Sequence, residues 1–348
     1  MDSELQTPTK SGFSFSKLAL LVGAVLLLLR LLRANAAVDF RSRTILISGG
    51  SRGLGLNIAR QFAKEGANLV LLARDEDELK NAKRELEGMG VQVLTIEGDV
   101  TLKSDCEKAV KATVERFGSL DGLVNNAGII QIGPLEHMSD EDFKSAIDLH
   151  IYGPLYLSRA ALPYLKRGRI GRIANIASFG GQVAVPHMAP YAASKFGLVG
   201  LSDALRHEVA KDGVLVTTVC PGIIRTGSHV QAKFKGHQKS EYKMFKLGAI
   251  SPLAVDPTVA SKLIVDAMRY GDPYLTFPAV IGWASLLYRV FPNLAALVLG
   301  ILVRFMPPPT DESGDETLSG IQLESGEGNV PFAAVADKAV TANNEGKA

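Results

Sequence analysis

Short apolar runs alternate with longer amphipathic stretches through most of the chain. The runs have strand length, whereas the stretches between them carry apolar residues at helical spacing. They lie at residues 44–48, 68–72, 91–96, 122–124, 172–176 and 215–219. This alternation predicts an α/β fold, a single-domain, Rossmann-like, doubly wound parallel sheet with helices on both faces.

Both ends of the chain depart from this pattern, and the first does so through a long apolar stretch at residues 13–32. Its length matches the ~20 residues of a membrane-spanning helix. Arg30 and Arg33 follow it, and basic residues favour the cytoplasmic side. The sequence therefore predicts an N-terminal tail and membrane-anchor helix over residues 1–40, with the catalytic domain facing the cytoplasm. A signal peptide cleaved after Ala36 and a helix lying in the membrane interface are the alternatives.

A second apolar region, residues 277–306, is interrupted by Pro292. Each half is too short to span a bilayer alone, so residues 271–309 are predicted to form apolar C-terminal helices. They could pack against a membrane, around the substrate entrance or on the core. Beyond them, Gly, Ser, Asn and Glu replace large apolar residues, which predicts a disordered acidic tail over residues 310–348.

Composition limits the remaining classes of function. A chain of 348 residues with 47% hydrophobic content can bury one large core, and a net charge of +2 gives no reason to expect a nucleic-acid partner. The two cysteines, Cys106 and Cys220, have no metal-type spacing and give no disulfide framework. No metal site is predicted.

Tyr191 and Lys195 form the most informative pair of candidate catalytic residues. Residues four apart share one face of a helix. A nearby cation favours the phenolate and lowers the pKa of a phenol, so Tyr191 could exchange a proton near neutral pH. Hydride transfer between an alcohol and a ketone requires such an acid or base.

A glycine-rich segment follows the first apolar run and precedes a helical pattern. Glycines in this context permit a tight turn and let backbone amides approach a pyrophosphate at the helix N-terminus. The segment runs Ser48, Gly49, Gly50, Ser51, Arg52, Gly53, Leu54, Gly55. The pattern predicts a dinucleotide site.

The end of the second apolar run bears on the choice of cofactor. An NAD site usually places a carboxylate there for the ribose 2′-hydroxyl, whereas an arginine accommodates the 2′-phosphate of NADP. Ala73 occupies the acid position, Arg74 follows it, and Arg52 can reach the same phosphate. These residues favour NADP(H), and the alternative is that Arg74 merely opens a solvated helix.

Together these motifs resemble the short-chain dehydrogenase/reductase family, over about residues 41–270, the predicted catalytic domain. Ser48 stands where the family's glycine motif has threonine. Asp99 and Val100 match the adenine contacts, Asn126 lies in an N-N-A-G motif, and residues 221–226 match the P-G motif. The resemblance implies cofactor contacts from Gly49, Ser51, Arg52, Gly53, Leu54, Gly55, Arg74, Asp99, Val100, Asn126, Tyr191, Lys195, Ile224 and Thr226.

The resemblance also implies catalytic roles. Ser178 stands at the family's spacing before Tyr191, and it would hydrogen-bond the substrate oxygen. Tyr191 would be the acid or base, and Lys195 would lower its pKa and bind the ribose. The family's fourth residue, an asparagine that holds a relay water, is replaced by His150. An imidazole could relay the proton instead, or His150 could only pack in its helix.

The sequence thus predicts a membrane-attached, NADPH-dependent carbonyl reductase or alcohol dehydrogenase. Its substrate would be a lipophilic ketone or alcohol, such as a lipid, a sterol or a long-chain acyl derivative. The chain is similar to 3-ketosphinganine reductases and hydroxysteroid dehydrogenases, and the family implies a homodimer or homotetramer. The alternative is a non-catalytic NADP-binding protein in which His150 has broken the relay.

Overall fold

The computed structural model describes residues 15–168, 170–324 and 333–346. Their strands, in chain order, are β1 (Thr44–Ser48), β2 (Asn68–Ala73), β3 (Val93–Glu97), β4 (Gly122–Asn125), β5 (Gln131–Ile132), β6 (Arg172–Ile176), β7 (Leu215–Pro221), β8 (Lys233–Phe234), β9 (Tyr274–Phe277) and β10 (Leu318–Ser319). Within the described residues, seven of them form a parallel sheet in the order β3-β2-β1-β4-β6-β7-β9. A smaller sheet has the order β10-β8-β5. The predicted doubly wound α/β fold is confirmed.

All six predicted apolar runs are strands of the large sheet. The sequence did not predict β9, which pairs with β7 at the sheet edge and leaves Tyr274 exposed. Its four residues continue directly into the apolar sequence of the helix that follows, with only Pro278 between them. A short edge strand therefore gave no separate signal.

The helices are α1 (Phe15–Asn35), α2 (Gly53–Lys64), α3 (Glu76–Glu87), α4 (Lys103–Phe117), α5 (Asp140–Ile147), α6 (Gly153–Leu165), α7 (Ala189–Val209), α8 (Gln238–Ile250), α9 (Pro257–Tyr270), α10 (Ala279–Val290), α11 (Pro292–Leu302), α12 (Gly320–Glu324) and α13 (Ala333–Ala342). Alternate residues of each strand point to opposite faces. Ile45 and Ile47 pack with α2, α3 and α9, whereas Leu46 packs with α4 and α6. Two apolar layers thus fix the sheet, and the strand order reverses beside β1, where this fold places its ligand crevice.

The N-terminal helix α1 is fixed to the catalytic domain at its last turn. Arg33 forms an ion pair with Asp272, with 2.7 Å between Nε and Oδ1, and stacks over the Tyr270 ring. By length and composition, none of the described helices could cross a membrane by itself. One pair, α10 with residues 292–305, could do so together, although it is bent by 115°. The predicted anchor helix, whose first two residues lie outside the described part, is therefore unsupported.

The C-terminal region departs from the predicted disordered tail wherever it is described. Its described residues include a 3₁₀ turn at Glu312–Asp315, β10, α12 and α13. β10 pairs with β8, and Glu324 at the end of α12 binds Lys246 at 2.5 Å. Leu323 also packs into a small apolar cluster with Phe234 and Tyr242. These are contacts with distant residues, so a composition poor in large apolar residues did not reveal them.

Candidate active site

The glycine-rich turn between β1 and α2 depends on two close backbone approaches. Gly49 has a φ of +63°, which disfavours residues other than glycine. A Cβ on Gly55 would lie 1.9 Å from the Gly49 carbonyl oxygen, so the first turn of α2 can pack on the loop only without a side chain there. The sequence therefore folds into the compact turn that a pyrophosphate site needs.

Ser48 and Asn126 join this turn to the end of β4. The Ser48 hydroxyl accepts hydrogen bonds from the backbone amides of Asn126 at 3.0 Å and Ala127 at 3.2 Å. The Asn126 amide group donates to the carbonyl oxygens of Ser48 and Gly49. Serine thus supplies a hydroxyl where the family motif has threonine, and these hydrogen bonds join the two loops beside the crevice.

Three segments bring the four predicted catalytic residues together. Ser178 follows β6, Tyr191 and Lys195 lie on the first turns of α7, and His150 lies in a π-helical turn, Asp148–Tyr152, between α5 and α6. The Ser178 side chain lies beside the Tyr191 phenol, where it acts to lower the pKa of the phenol. The His150 ring stands edge-on to the Tyr191 ring, with centroids 5.6 Å apart. Lys195 Nζ donates to the Ile176 carbonyl at 2.8 Å.

The charges of this cluster differ from the predicted ones. Burial raises the pKa of Tyr191, although the neighbouring Ser178 side chain acts to lower it. Burial also lowers the pKa of Lys195 to about 7. Lys195 Nζ lies 5.7 Å from the centre of the Tyr191 ring and is turned toward Ile176. In this structure the phenol pKa is therefore not lowered by the lysine, contrary to the prediction.

Both ring nitrogens of His150 already have partners within the protein. The Ile129 backbone N–H donates to Nε2 at 3.2 Å, so the proton of the neutral ring lies on Nδ1 and is donated to Ser194 Oγ at 2.8 Å. Ser194 in turn donates to the Tyr191 carbonyl at 2.9 Å. Burial, and secondarily the charge of Lys195, lower the pKa of His150 well below its ordinary value. The geometry favours a neutral, structural histidine over a proton relay.

A buried amide network beneath the site was not predicted from sequence. Asn125 donates to Asn175 at 2.8 Å, and Asn175 donates to Ser202 at 2.9 Å. These contacts tie β4 and β6 to α7, the helix that carries Tyr191 and Lys195. The sequence feature that could have revealed the network is Asn175, an uncharged polar residue within the apolar run of β6.

The two arginines predicted to bind the 2′-phosphate both contact carboxylates. Arg52 Nη1 lies 2.9 Å from Glu78 on α3, and Ser51 Oγ donates to the same carboxylate at 2.7 Å. Arg74 is 72% exposed in its side chain and lies 3.9 Å from Asp99. Glu78 is buried and was missed by sequence reasoning, which sees only an acidic residue in the first turn of a helix.

On the opposite wall, the segment after β7 places Ile224 and Thr226. Ile224 forms a β-bridge with Val255, and the Thr226 hydroxyl accepts from the Ser228 amide at 3.3 Å. Val100, predicted to contact adenine, is buried in the turn that follows β3. The turn after β1, the N-N-A-G loop and this segment lie at the carboxyl edge of the sheet, where this fold places its ligand crevice. Residues 343–345 also lie against its walls.

A separate groove of about 800 Å³ lies on the outer side of α7. Its walls include Phe196, residues 184–187 and residues 306–309. None of the four predicted catalytic residues lines it, but residues 184–187 belong to the connection between Ser178 and Tyr191. The groove therefore adjoins the catalytic segment without containing the candidate chemistry.

Comparison with known proteins gives a consistent assignment. Residues 43–235 match the family described as short chain dehydrogenase. The 11-beta-hydroxysteroid dehydrogenase A of Sesamum indicum is 34% identical over 246 residues, covering 69% of this chain and 70% of that protein. The 11-beta-hydroxysteroid dehydrogenase-like 3 of Arabidopsis thaliana is 31% identical over 271 residues, covering 76% and 83%.

Two solved structures share the fold. L-sorbose reductase from Gluconobacter frateurii, complexed with NADPH and L-sorbose, has a TM-score of 0.62 at 27% identity and covers 69% of this chain and 97% of its own. A short chain dehydrogenase/reductase from Burkholderia phymatum, in complex with NAD, has a TM-score of 0.68 at 24% identity and covers 79% and 98%. These neighbours hold NADPH in one case and NAD in the other.

Proposed function

This chain belongs to the short-chain dehydrogenase family and is an oxidoreductase of that type, and we propose that it is an NADPH-dependent carbonyl reductase or alcohol dehydrogenase for a lipophilic ketone or alcohol. The observation that carries the proposal is the convergence of Ser178, Tyr191 and Lys195 at the carboxyl edge of the parallel sheet. A structural role alone would not require a phenol, a hydroxyl and a buried amine at this edge.

The protein's own groups account for the proton and the orientation of the substrate. When bound, the nicotinamide ring would supply or accept the hydride at the carbonyl carbon. Ser178 lies beside Tyr191, so a carbonyl oxygen bound there would accept hydrogen bonds from both hydroxyl groups. Tyr191 then donates the proton during reduction and takes it back during oxidation. A raised phenol pKa in the structure keeps Tyr191 protonated, which is the form that reduction needs.

The preference for NADPH over NADH rests on charge at the adenosine end of the crevice. Ala73 ends β2 without a carboxylate, and the exposed Arg74 is free to turn from Asp99, 3.9 Å away, toward a 2′-phosphate. Arg52 is held by Glu78 and contributes less than the sequence predicts. Arg74 is therefore the main determinant in this proposal.

The lipophilic substrate is supported by the apolar surface of α10 and α11. Trp283 is 66% exposed and Phe305, just beyond α11, is 82% exposed. Residues 306–309 then reach the groove beside residues 184–187, so this surface continues toward the segment that joins Ser178 to Tyr191. Two relatives carry the name hydroxysteroid dehydrogenase, and a steroid is a largely apolar molecule. We propose that this surface rests on a membrane, with the catalytic domain on the cytoplasmic side.

Cofactor oxidation with a panel of ketones tests the activity. Purified full-length protein should oxidise NADPH in the presence of steroid ketones or long-chain 3-keto lipids and not in their absence. Saturable NADPH binding with no turnover across steroid, acyl and small-sugar ketones would instead support the non-catalytic alternative. Absence of both NADPH and NADH binding would contradict the proposal.

Liposome sedimentation tests the membrane contact. The double variant Trp283→Ser, Phe305→Ser should bind less than the unmodified protein, and high salt should not release the latter because apolar burial is not screened. Leu102→Ser is a matched control, since Leu102 is 54% exposed at the start of α4. Equal sedimentation of all three proteins would contradict the membrane assignment of this surface.

A further inference from the structure

The last described residues of the chain lie across the candidate cofactor crevice. Residues 339–346, which we call the C-terminal strap, comprise the end of α13 and the turn after it. They contact the glycine-rich turn on one wall and residues 226–231 on the other. A segment far from the family core in sequence thus lies inside the predicted site.

The strap uses the donors of the α2 N-terminus. The Gly53 backbone N–H donates to the Asn343 carbonyl oxygen at 2.8 Å. The Glu345 carboxyl group lies so close that a Cβ on Gly53 would be 2.4 Å from its Oε1. Arg52 Nε lies 3.5 Å from Oε2 of the same group. A helix N-terminus and an adjacent guanidinium are also what a nucleotide phosphate needs, so the strap presents oxygen atoms where phosphate oxygens would bind.

Asn343 fastens the strap to both walls and is itself buried. Its side-chain amide donates to the Thr226 carbonyl at 3.0 Å, and its side-chain oxygen accepts from Asn57 at 2.7 Å. Val340 packs on Gly227, where a Cβ would lie 2.7 Å from the Val340 Cα. Thr226 and Gly53 were both predicted cofactor contacts, and the strap bridges them.

Shape alone does not explain these contacts, because the strap also carries an ionisable carboxyl group into a buried place. Glu345 is 4% exposed, and an isolated buried carboxyl is costly unless it is paired. Arg52, already bound to Glu78, is its nearest cation. A segment that only capped the fold would gain more from an apolar residue here. A carboxyl at this position instead resembles the ligand that it excludes.

We propose that the C-terminal strap is an intramolecular competitor of the dinucleotide, which binds the glycine-rich turn in the free protein and must leave before NADPH can bind. The inference rests on the proposed function and concerns the regulation of the same site. The apparent affinity for NADPH is then reduced by the fraction of molecules whose strap is undocked. Any partner that captures the strap would activate the enzyme.

Cofactor binding to truncated and substituted proteins tests the strap. A variant lacking residues 333–348 should bind NADPH at least about tenfold more tightly, because no strap then blocks the site in any of its molecules. The fluorescence of the bound cofactor measures the affinity. Asn343→Ala keeps the chain length and should give an intermediate gain. Lys338→Ala, exposed on α13, is the matched control and should leave the dissociation constant unchanged.

A synthetic peptide of residues 333–348 gives a readout that does not depend on truncation. Added to the truncated protein, it should weaken NADPH binding competitively, and the same peptide with Asn343→Ala should do so less. Equal NADPH dissociation constants for the full-length protein, the truncated protein and Asn343→Ala would overturn the inference and leave the proposed function intact. Failure of both full-length and truncated proteins to bind either dinucleotide would overturn both.

Discussion

The catalytic end and the phosphate end of the crevice are built differently. At the catalytic end, His150, Ser194 and Lys195 donate to or accept from backbone and side-chain groups of the core. At the phosphate end, Arg52 pairs with Glu78 and Glu345, and these acidic partners come from α3 and from the end of the chain. The first arrangement is complete without a cofactor. The second holds the protein's own carboxyl groups where an anionic ligand would bind.

This difference assigns the chemical step to one end of the crevice and the control of cofactor binding to the other. In the proposed mechanism, the catalytic end keeps its internal hydrogen bonds when the nicotinamide binds, so it needs little reorganisation. At the phosphate end, Glu345 must first leave Arg52 before a cofactor phosphate can take its place. Changes at the catalytic end should therefore alter turnover or folding, whereas changes at the phosphate end should alter cofactor affinity.

The largest expected effect is at Tyr191. Tyr191→Phe removes the proton donor and preserves the ring that packs beside His150. Turnover should fall by about 10²–10⁴-fold, as for other general acids, while the NADPH dissociation constant stays nearly the same. Steady-state NADPH oxidation and a separate binding titration measure the two quantities. Turnover close to that of the unmodified protein would remove Tyr191 from the mechanism.

His150 should affect stability. His150→Ala removes the acceptor of the part-buried Ile129 amide and the donor to Ser194 Oγ, and an unsatisfied buried group costs about 1–3 kcal/mol. The midpoint of thermal unfolding should fall, and His150→Asn should recover part of the loss because an amide can both donate and accept. A proton relay predicts slower turnover at an unchanged unfolding midpoint, and that result would favour the relay.

Arg74 should affect the choice of cofactor. Arg74→Ala should shrink the preference for NADPH over NADH by about tenfold or more, since a charge-assisted hydrogen bond contributes about 1.5–3 kcal/mol. Binding titrations with both cofactors measure the ratio, and Lys83→Ala, on the following helix α3, is the control. Asp99→Asn should widen the preference by releasing Arg74. Equal affinities for both cofactors in the unmodified protein would contradict the assignment.

The smallest expected effect is a dependence of NADPH binding on pH through Glu345. Burial raises the pKa of this carboxyl from 4.5 to about 7, Arg52 opposes the shift and Glu78 adds to it, so the docked strap binds a proton more tightly than the free strap. Docking is therefore strongest below pH 4.5 and weakens as pH rises toward 7.

Between pH 6 and 8 the docking constant should fall by up to about tenfold. NADPH affinity should rise correspondingly in the full-length protein. The Glu345→Gln variant has no titrating group at this position, so its NADPH affinity should lack this part of the pH dependence. Titration of the cofactor phosphate affects the variant and the unmodified protein alike. The same pH profile in both would show that Glu345 does not couple docking to protons.

The comparison also shows what a sequence reveals. Six strands, the turn after β1 and the Tyr191–Lys195 spacing are local patterns, so the periodicity and the glycines predicted them. The role of Glu78 and the position of Asn343 depend on contacts between distant residues. Asn57 and Asn343 are 286 positions apart and joined by one hydrogen bond. No periodicity or composition encodes such a contact, which explains why the sequence predicts a disordered tail where the structure has the strap.

The π-helical turn at Asp148–Tyr152 has a consequence for insertions and deletions in the chain. Each residue of an α-helix turns the following side chains by about 100°, since a turn contains about 3.6 residues. The wider turn between α5 and α6 thus sets the rotational phase of α6, whose Leu157, Ala161 and Leu165 all point into the core. Deleting a single residue at this turn would rotate α6 out of phase and expose those side chains. The turn Asp148–Tyr152, whose His150 packs beside Tyr191, should therefore tolerate a substitution better than an insertion or a deletion.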